Sequence, residues 1–205
     1  MTTPRVSIVS TVYDRVDCLH RCLRSVQHLA YPDVEQIVVS DAPPEAVQVA
    51  IERVCAEFGV KHINLSERHN DWGMTPAWEG VTHARGDYVC FLSDDNAYLP
   101  DHLGPLVTRL DGDPGLAFAY SSCLYDGRFT LKAPVPQAGR IDLGQPLFRR
   151  RVLLEVFPDG FPFHEFAWDW RVIAAVMRDR RYCHLDAATF VFRFLRYPQL
   201  VRTLA

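Results

Sequence analysis

The sequence predicts an α/β domain whose mostly parallel sheet is covered by helices on both faces. Two observations predict it. Short β-branched runs alternate with helical apolar periodicities through the N-terminal half of the chain. Polar or acidic residues, Thr11, Tyr13, Asp41, Asp94 and Asp95, close those runs, at the strand ends where open α/β sheets gather ligands.

Residues 5–12 set Val6, Ile8, Ser10 and Val12 against Ser7, Val9 and Thr11, which reads as a strand. Asp17 is placed to cap the next helix, where Leu19, Cys22, Leu23 and Val26 recur at helical spacing until Tyr31-Pro32 stops it. Ile37-Val38-Val39 is a short buried strand ending at Ser40-Asp41. After Pro43-Pro44, the positions Val47, Ile51, Val54 and Phe58 mark a second helix that closes at Gly59. Residues 60–65 give a third strand, and a polar stretch with Asn70, Asp71 and Gly73 leads to Thr75-Pro76, read as an N-cap with proline at the first helical position. Trp78, Val81 and Ala84 face the core from that helix. Gly86-Asp87 turns the chain into Tyr88-Val89-Cys90-Phe91-Leu92, which delivers Asp94 and Asp95, and Leu99-Pro100-Asp101 starts another helix. Further on, residues 116–121 and 128–132 read as strands, Pro134 and Pro136 as breaks, and residues 148–156 as a short helix. A loop over residues 158–162, a helix from Trp168 to Met177 and a strand over residues 188–194 complete the chain. No linker, repeat or low-complexity tract divides it, so residues 1–205 are expected to form a single domain.

With 205 residues and 48% hydrophobic content the chain can bury a substantial core. A net charge of -3 provides no broad cationic face, which argues against nucleic acid as a partner. Met1-Thr2-Thr3-Pro4-Arg5 lacks the apolar core of a signal peptide. No stretch approaches the ~20 apolar residues of a transmembrane segment; a cytoplasmic location is expected. The six cysteines and eight histidines form no recognisable metal motif, and buried free thiols are expected. Oligomeric state is open, a homodimer included.

Two adjacent carboxylates at the mouth of a buried strand need something positive to neutralise them, and a divalent cation with its phosphate ligand is the leading explanation. Helix capping by Asp94 and Asp95 is the structural alternative. Asp41 can accept a hydrogen bond from a base or ribose, or can simply form the turn before Pro43-Pro44. Thr11 and Tyr13 are placed to line the same pocket, with core or loop packing as their alternative role. Asp169, in Phe166-Ala167-Trp168-Asp169-Trp170-Arg171, is an acid among bulky aromatics, so desolvation would favour its protonated form and make it a better base once ionised. Complementing the helix dipole is its alternative role. Trp168 and Trp170 read as core residues ahead of sugar platforms. Arg140, Arg149, Arg150 and Arg151 read as solvated surface arginines ahead of phosphate contacts.

At these residues the chain resembles the family 2 glycosyltransferases. Residues 6–15 look like that family's opening strand and turn, and Val38-Val39-Ser40-Asp41 like the strand whose terminal aspartate contacts the nucleotide base. Ser93-Asp94-Asp95-Asn96 is similar to the spore-coat polysaccharide glycosyltransferases of the family. The resemblance implies the GT-A nucleotide-diphospho-sugar transferase fold, with a Rossmann-like, mostly parallel sheet flanked by helices. It implies a nucleoside-diphosphate sugar donor, UDP- or dTDP-linked, a carbohydrate or small-molecule hydroxyl acceptor, and Mn2+ or Mg2+ as cofactor. By the same likeness Asp94 lies near the ribose and Asp95 binds the metal. Asn70 and Trp72 fall in the nucleotide-binding loop, Gly144-Gln145-Pro146-Leu147-Phe148-Arg149-Arg150 on the acceptor side, and Asp169 is the base of an inverting transfer, with Glu165 as its rival. Residues 1–103 would then bind the nucleotide sugar and residues 104–205 the acceptor. The sequence departs from the family at Asp14, Ser40, Asn96 and Trp168. Two other activities are weighed. A sugar nucleotidylyltransferase needs a glycine-rich basic loop, and Tyr13-Asp14-Arg15-Val16-Asp17 contains no glycine. A catalytically silent nucleotide- or partner-binding module is the other.

Overall fold

The computed structural model describes residues 5–125 and 129–193. Met1 to Pro4, and the strand-end residues Arg128 and Phe194, lie outside the described residues. Among those described, one mixed sheet of nine strands organises the chain. Its first half is the β-α succession expected: β1 (Val6–Val12), α1 (Val16–Gln27), β2 (Val34–Ser40), α2 (Glu45–Phe58), β3 (Lys61–Asn64), α3 (Met74–His83) and β4 (Tyr88–Phe91). β1 pairs in parallel with β2 and with β4, and β2 with β3, so the carboxyl ends of all four strands point the same way. Gly59, in the left-handed region at φ 65°, closes α2 as expected.

The second half departs from a parallel plan. After β5 (Ala97–Tyr98) and α4 (Leu103–Gly112) come β6 (Leu116–Tyr125), β7 (Phe129–Leu131), β8 (Pro146–Arg149), α5 (Arg150–Val156), α6 (Trp168–Met177) and β9 (Arg181–Phe192). β8 inserts antiparallel between β4 and β6, β9 runs parallel to β6, and β5 pairs antiparallel with β9. The helix expected over residues 148–156 therefore begins at Arg150, its first two residues closing β8. Leu147 and Phe148 are fully buried and enter different apolar clusters on opposite faces, a two-residue period that so short a run does not distinguish from a helical one.

Alternation sorts the core by face. Val9, Ile37, Val39, Val89 and Phe91 pack against α3, α5 and α6, while Val6, Ile8, Tyr88, Cys90 and Leu92 pack with α1 and α4. Val12, Leu19, Leu23, Val38 and Ile51 join α1 and α2 to the same side as α4. The strand serines are buried but satisfied: Ser7 donates to Glu35 at 2.6 Å, and Ser10 accepts from Gln36 at 2.9 Å. Two helix starts differ from expectation. Asp17 lies in the first turn of α1 rather than at its cap. α3 begins one residue before Thr75, whose backbone N–H donates to the Asp71 carboxylate at 3.0 Å, so Asp71 is the capping acid. Among the described residues, no helix is long and apolar enough to cross a membrane.

Candidate active site

The parallel strand ends converge on a cleft of about 440 Å3 lined by Thr11, Tyr13, Asp41, Asn70, Trp72 and Asp94, six residues drawn from four segments. Backbone hydrogen bonds set this convergence. The Asp94 N–H reaches the Thr11 carbonyl at 3.3 Å and Leu92 reaches Val9 at 2.8 Å, so the chain after β4 continues alongside β1. Asp41 organises the facing loop, its two carboxylate oxygens accepting the His69 and Asn70 backbone N–H groups at 2.9 Å each. That clasp accompanies left-handed backbone at Asn70 (φ 53°) and Trp72 (φ 57°), conformations that non-glycine residues adopt only where surroundings impose them. Trp72 is left 60% exposed on the cleft wall, and Arg68 stacks over the Tyr13 ring at 4.0 Å.

The acid pair has a protein cation. Arg15 donates two hydrogen bonds to the buried Asp94 carboxylate and one, at 2.7 Å, to Asp95. Even so, burial pushes the Asp94 carboxyl up to about 7, with Arg15 opposing and the Asp95 charge adding to the rise. With both acids ionised, two carboxylates face one guanidinium, and the remaining negative charge is one that a cation would relieve. Among the described residues, no group of three or more histidine, cysteine or acidic side chains forms a metal cage. Asp94 and Asp95 thus suit a hard cation that takes most of its ligands from phosphate and water, rather than one held by protein alone. Asn96 is turned elsewhere: its side-chain oxygen accepts the Arg193 N–H at 2.9 Å.

A second cleft, of about 450 Å3, adjoins the first and shares Thr11, Trp72 and Ser93 with it. Its far wall comes from the C-terminal half and carries Asp142 and Asp169. Burial raises the Asp169 carboxyl, against hydrogen bonding by backbone N–H groups at the start of α6. Glu165, its rival by sequence, is exposed, pairs with Arg171 at 3.0 Å and lines neither cleft. Trp168 is core, and its Nε1–H donates to the Trp72 carbonyl at 3.3 Å, tying α6 to the loop of the first cleft. Arg149 is neither solvated nor in a cleft; it clamps the carbonyls of Leu110 and Leu116 at 2.6 and 2.8 Å.

Three site residues escape a reading along the chain. The demand of two buried-strand acids for a positive partner points, in the sequence, to a divalent cation, whereas the fold brings Arg15 to Asp94 and Asp95. Arg68 carries no local signal. Asp142 stands two residues before Gly144, a turn-forming spacing that signals local structure and says nothing of the cleft.

Residues 7–168 match the family described as Glycosyl transferase family 2. A Campylobacter jejuni protein, GalNAc(5)-diNAcBac-PP-undecaprenol beta-1,3-glucosyltransferase, is 22% identical over 123 residues, 60% of this chain and 39% of that one. Among solved structures, Staphylococcus aureus TarS residues 1–349 in complex with UDP-GlcNAc superposes with a TM-score of 0.73 at 17% identity, covering 92% of this chain and 58% of that one. The mannosyltransferase PcManGT from Pyrobaculum calidifontis, in complex with GDP-Man and Mn2+, gives a TM-score of 0.71 at 21% identity over 94% of this chain and 58% of that one. These likenesses place the chain in the GT-A fold. The chain spans less than two thirds of the length of each of these three proteins.

Proposed function

From the premise that the chain belongs to glycosyl transferase family 2, we propose that it is an inverting, metal-dependent glycosyltransferase that moves a sugar from a nucleoside diphosphate to an acceptor hydroxyl. The observation that carries this reading is the pair of adjoining clefts, one walled by Asp94, Arg15 and the Asp41 loop, the other by Asp169, meeting at Thr11, Trp72 and Ser93. Residues 1–103 supply the donor side and residues 104–205 most of the acceptor side. The protein is read as acting in the cytoplasm.

Tyr13, Asp41, Asn70 and Trp72 hold the nucleoside, and Asp94 lies toward the ribose. Asp95 holds Mn2+ or Mg2+, which when bound supplies Lewis-acid neutralisation of the charge on the departing diphosphate. Arg15 is placed to offer its guanidinium to the same phosphates. The acceptor oxygen attacks the anomeric carbon while the bond to the diphosphate oxygen breaks, and its proton passes to the Asp169 carboxylate. One in-line displacement inverts the configuration. The UDP-GlcNAc and GDP-Man complexes of TarS and PcManGT support a nucleotide-sugar donor of either base.

Titration calorimetry with UDP-GlcNAc and GDP-mannose, each with and without manganese, tests the donor side. Asp95→Ala is expected to lose the manganese-dependent part of donor affinity. Asp169→Asn is expected to bind donor as wild type does but to lose transfer by roughly 100-fold or more, as removal of a general base does. Unchanged donor affinity in the first variant, or near-normal turnover in the second, overturns the assignment of that residue.

A further inference from the structure

Asp142 is a partly buried acid on the wall of the second cleft, and neither the metal side nor the base role uses it. Its backbone position is heavily determined. Oδ1 accepts the Gly144 N–H at 2.8 Å, the Asp142 N–H donates to Gln145 Oε1 at 2.8 Å, and Gln145 in turn donates to the Ser121 carbonyl at 2.7 Å. Tyr98 donates to the Gly144 carbonyl at 3.0 Å, and a Cβ on Gly144 would lie 2.4 Å from the Phe190 ring, so the turn is pressed against the core. Its other carboxylate oxygen, Oδ2, has no hydrogen-bond partner among the described residues. Asp169, which lines the same cleft, and the more distant Asp95 both act electrostatically on this carboxyl.

A turn-forming aspartate needs one oxygen for its turn and ordinarily leaves the other in water. Here the residue lines a cleft that Asp169 also lines and that shares Thr11, Trp72 and Ser93 with the donor cleft. Two carboxylates bordering one cavity next to a sugar donor suit an acceptor with more than one hydroxyl. One hydroxyl gives its proton to Asp169, and a neighbouring one donates to Asp142, which fixes the attacking oxygen in register.

We propose that Asp142 is an acceptor-binding residue of the transfer site, and that the acceptor is a polyhydroxylated molecule presenting a second hydroxyl to it. This rests on the glycosyltransferase reading, so the test separates the two. The probes are methyl pyranosides and their monodeoxy analogues as acceptors, with whichever of UDP-GlcNAc and GDP-mannose the protein binds. Asp142→Asn keeps an oxygen for the Gly144 N–H, and Asp142→Ala removes it. In the wild type, one deoxy position besides the attacking hydroxyl is expected to lower kcat/KM by roughly 10- to 100-fold, the effect of losing a hydrogen bond to a charged group. In Asp142→Asn that discrimination collapses toward unity and the acceptor KM rises, while donor affinity stays within about twofold. Retained discrimination at the same position in Asp142→Asn overturns the acceptor role and leaves the transferase reading standing. An Asp142→Ala effect without an Asp142→Asn effect assigns the residue to the turn alone and also overturns it. Donor binding without transfer to any pyranoside overturns the polyhydroxylated acceptor, and absence of donor binding overturns the transferase reading with it.

Discussion

Arg15 holds the charge balance of the acid pair. Its guanidinium is half exposed, at 49%, while the Asp94 carboxylate it grips is 2% exposed, so one partner remains in water and the other depends on the contact. Removing a countercharge from a buried carboxylate is strongly destabilising, and the exposure of Arg15 reduces the effect to about 1–2 kcal/mol. Arg15→Ala is therefore expected to lower Tm by several degrees at neutral pH. Manganese chloride should then restore part of the loss, because the variant presents two uncompensated carboxylates where the wild type holds both against one guanidinium. The comparison is a melting curve of each protein with and without the salt. An equal manganese shift in both proteins would show that Arg15 and the cation do not share these carboxylates. At this scale Asp94 and Asp95 were legible along the chain, because a strand-end acid pair is a local pattern. Arg15, 79 residues from Asp94, was not, because the partner of a charge is chosen by topology.

Helix α3 shows how an element is held to the site. It crosses the face of β1 at Gly80, where a Cβ would stand 2.2 Å from Val9 Cγ1, so the close approach of helix to strand depends on the missing methyl. The helix carries the Asp71-Trp72-Gly73 turn at its N-terminus, and through it the wall of the donor cleft. Gly80→Ala is expected to destabilise by about 1–3 kcal/mol, the usual effect of overpacking, although alanine is the better helix former. Urea denaturation of Gly80→Ala, Val9→Ala and the double variant checks the cause. The double variant should be less destabilised than the sum of the singles, whereas strict additivity would place the strain elsewhere. The β-α succession that sets this packing was readable from period and caps: β1, β2, α2, α6 and the strand before Asp94 fall where the pattern put them. β8 did not, because three of its four residues are buried and only their pairing with β4 and β6 marks them as a strand.

Across the whole molecule, the sheet brings Asp94, Asp142 and Asp169 to adjoining clefts from three distant segments, and the fold pays in stability for keeping them there. Asp142 carries the effect most clearly. Burial, with the charges of Asp169 and Asp95 adding and the Gly144 N–H opposing, pushes its carboxyl up to about 7, against about 3.9 in an unfolded chain. Between those values the folded protein holds a proton that the unfolded chain releases. The contribution of Asp142 to stability is thus fully present below about pH 4, is lost as pH rises, and is gone above about pH 7. An asparagine keeps the turn and carries no charge to desolvate. Asp142→Asn should therefore melt close to the wild type at pH 4 and above it at pH 8. The gap should widen through pH 6 and 7 and level off beyond. Solvent screening of a partly exposed group reduces the effect to on the order of 1–2 kcal/mol, or roughly 2–8 °C in Tm for a domain of this size. Scanning fluorimetry at the four pH values in matched ionic strength measures it. A gap that is independent of pH, or a variant that melts below the wild type at pH 8, would mean that Asp142 is a satisfied turn acid and that the charge strain of the cleft lies on other residues.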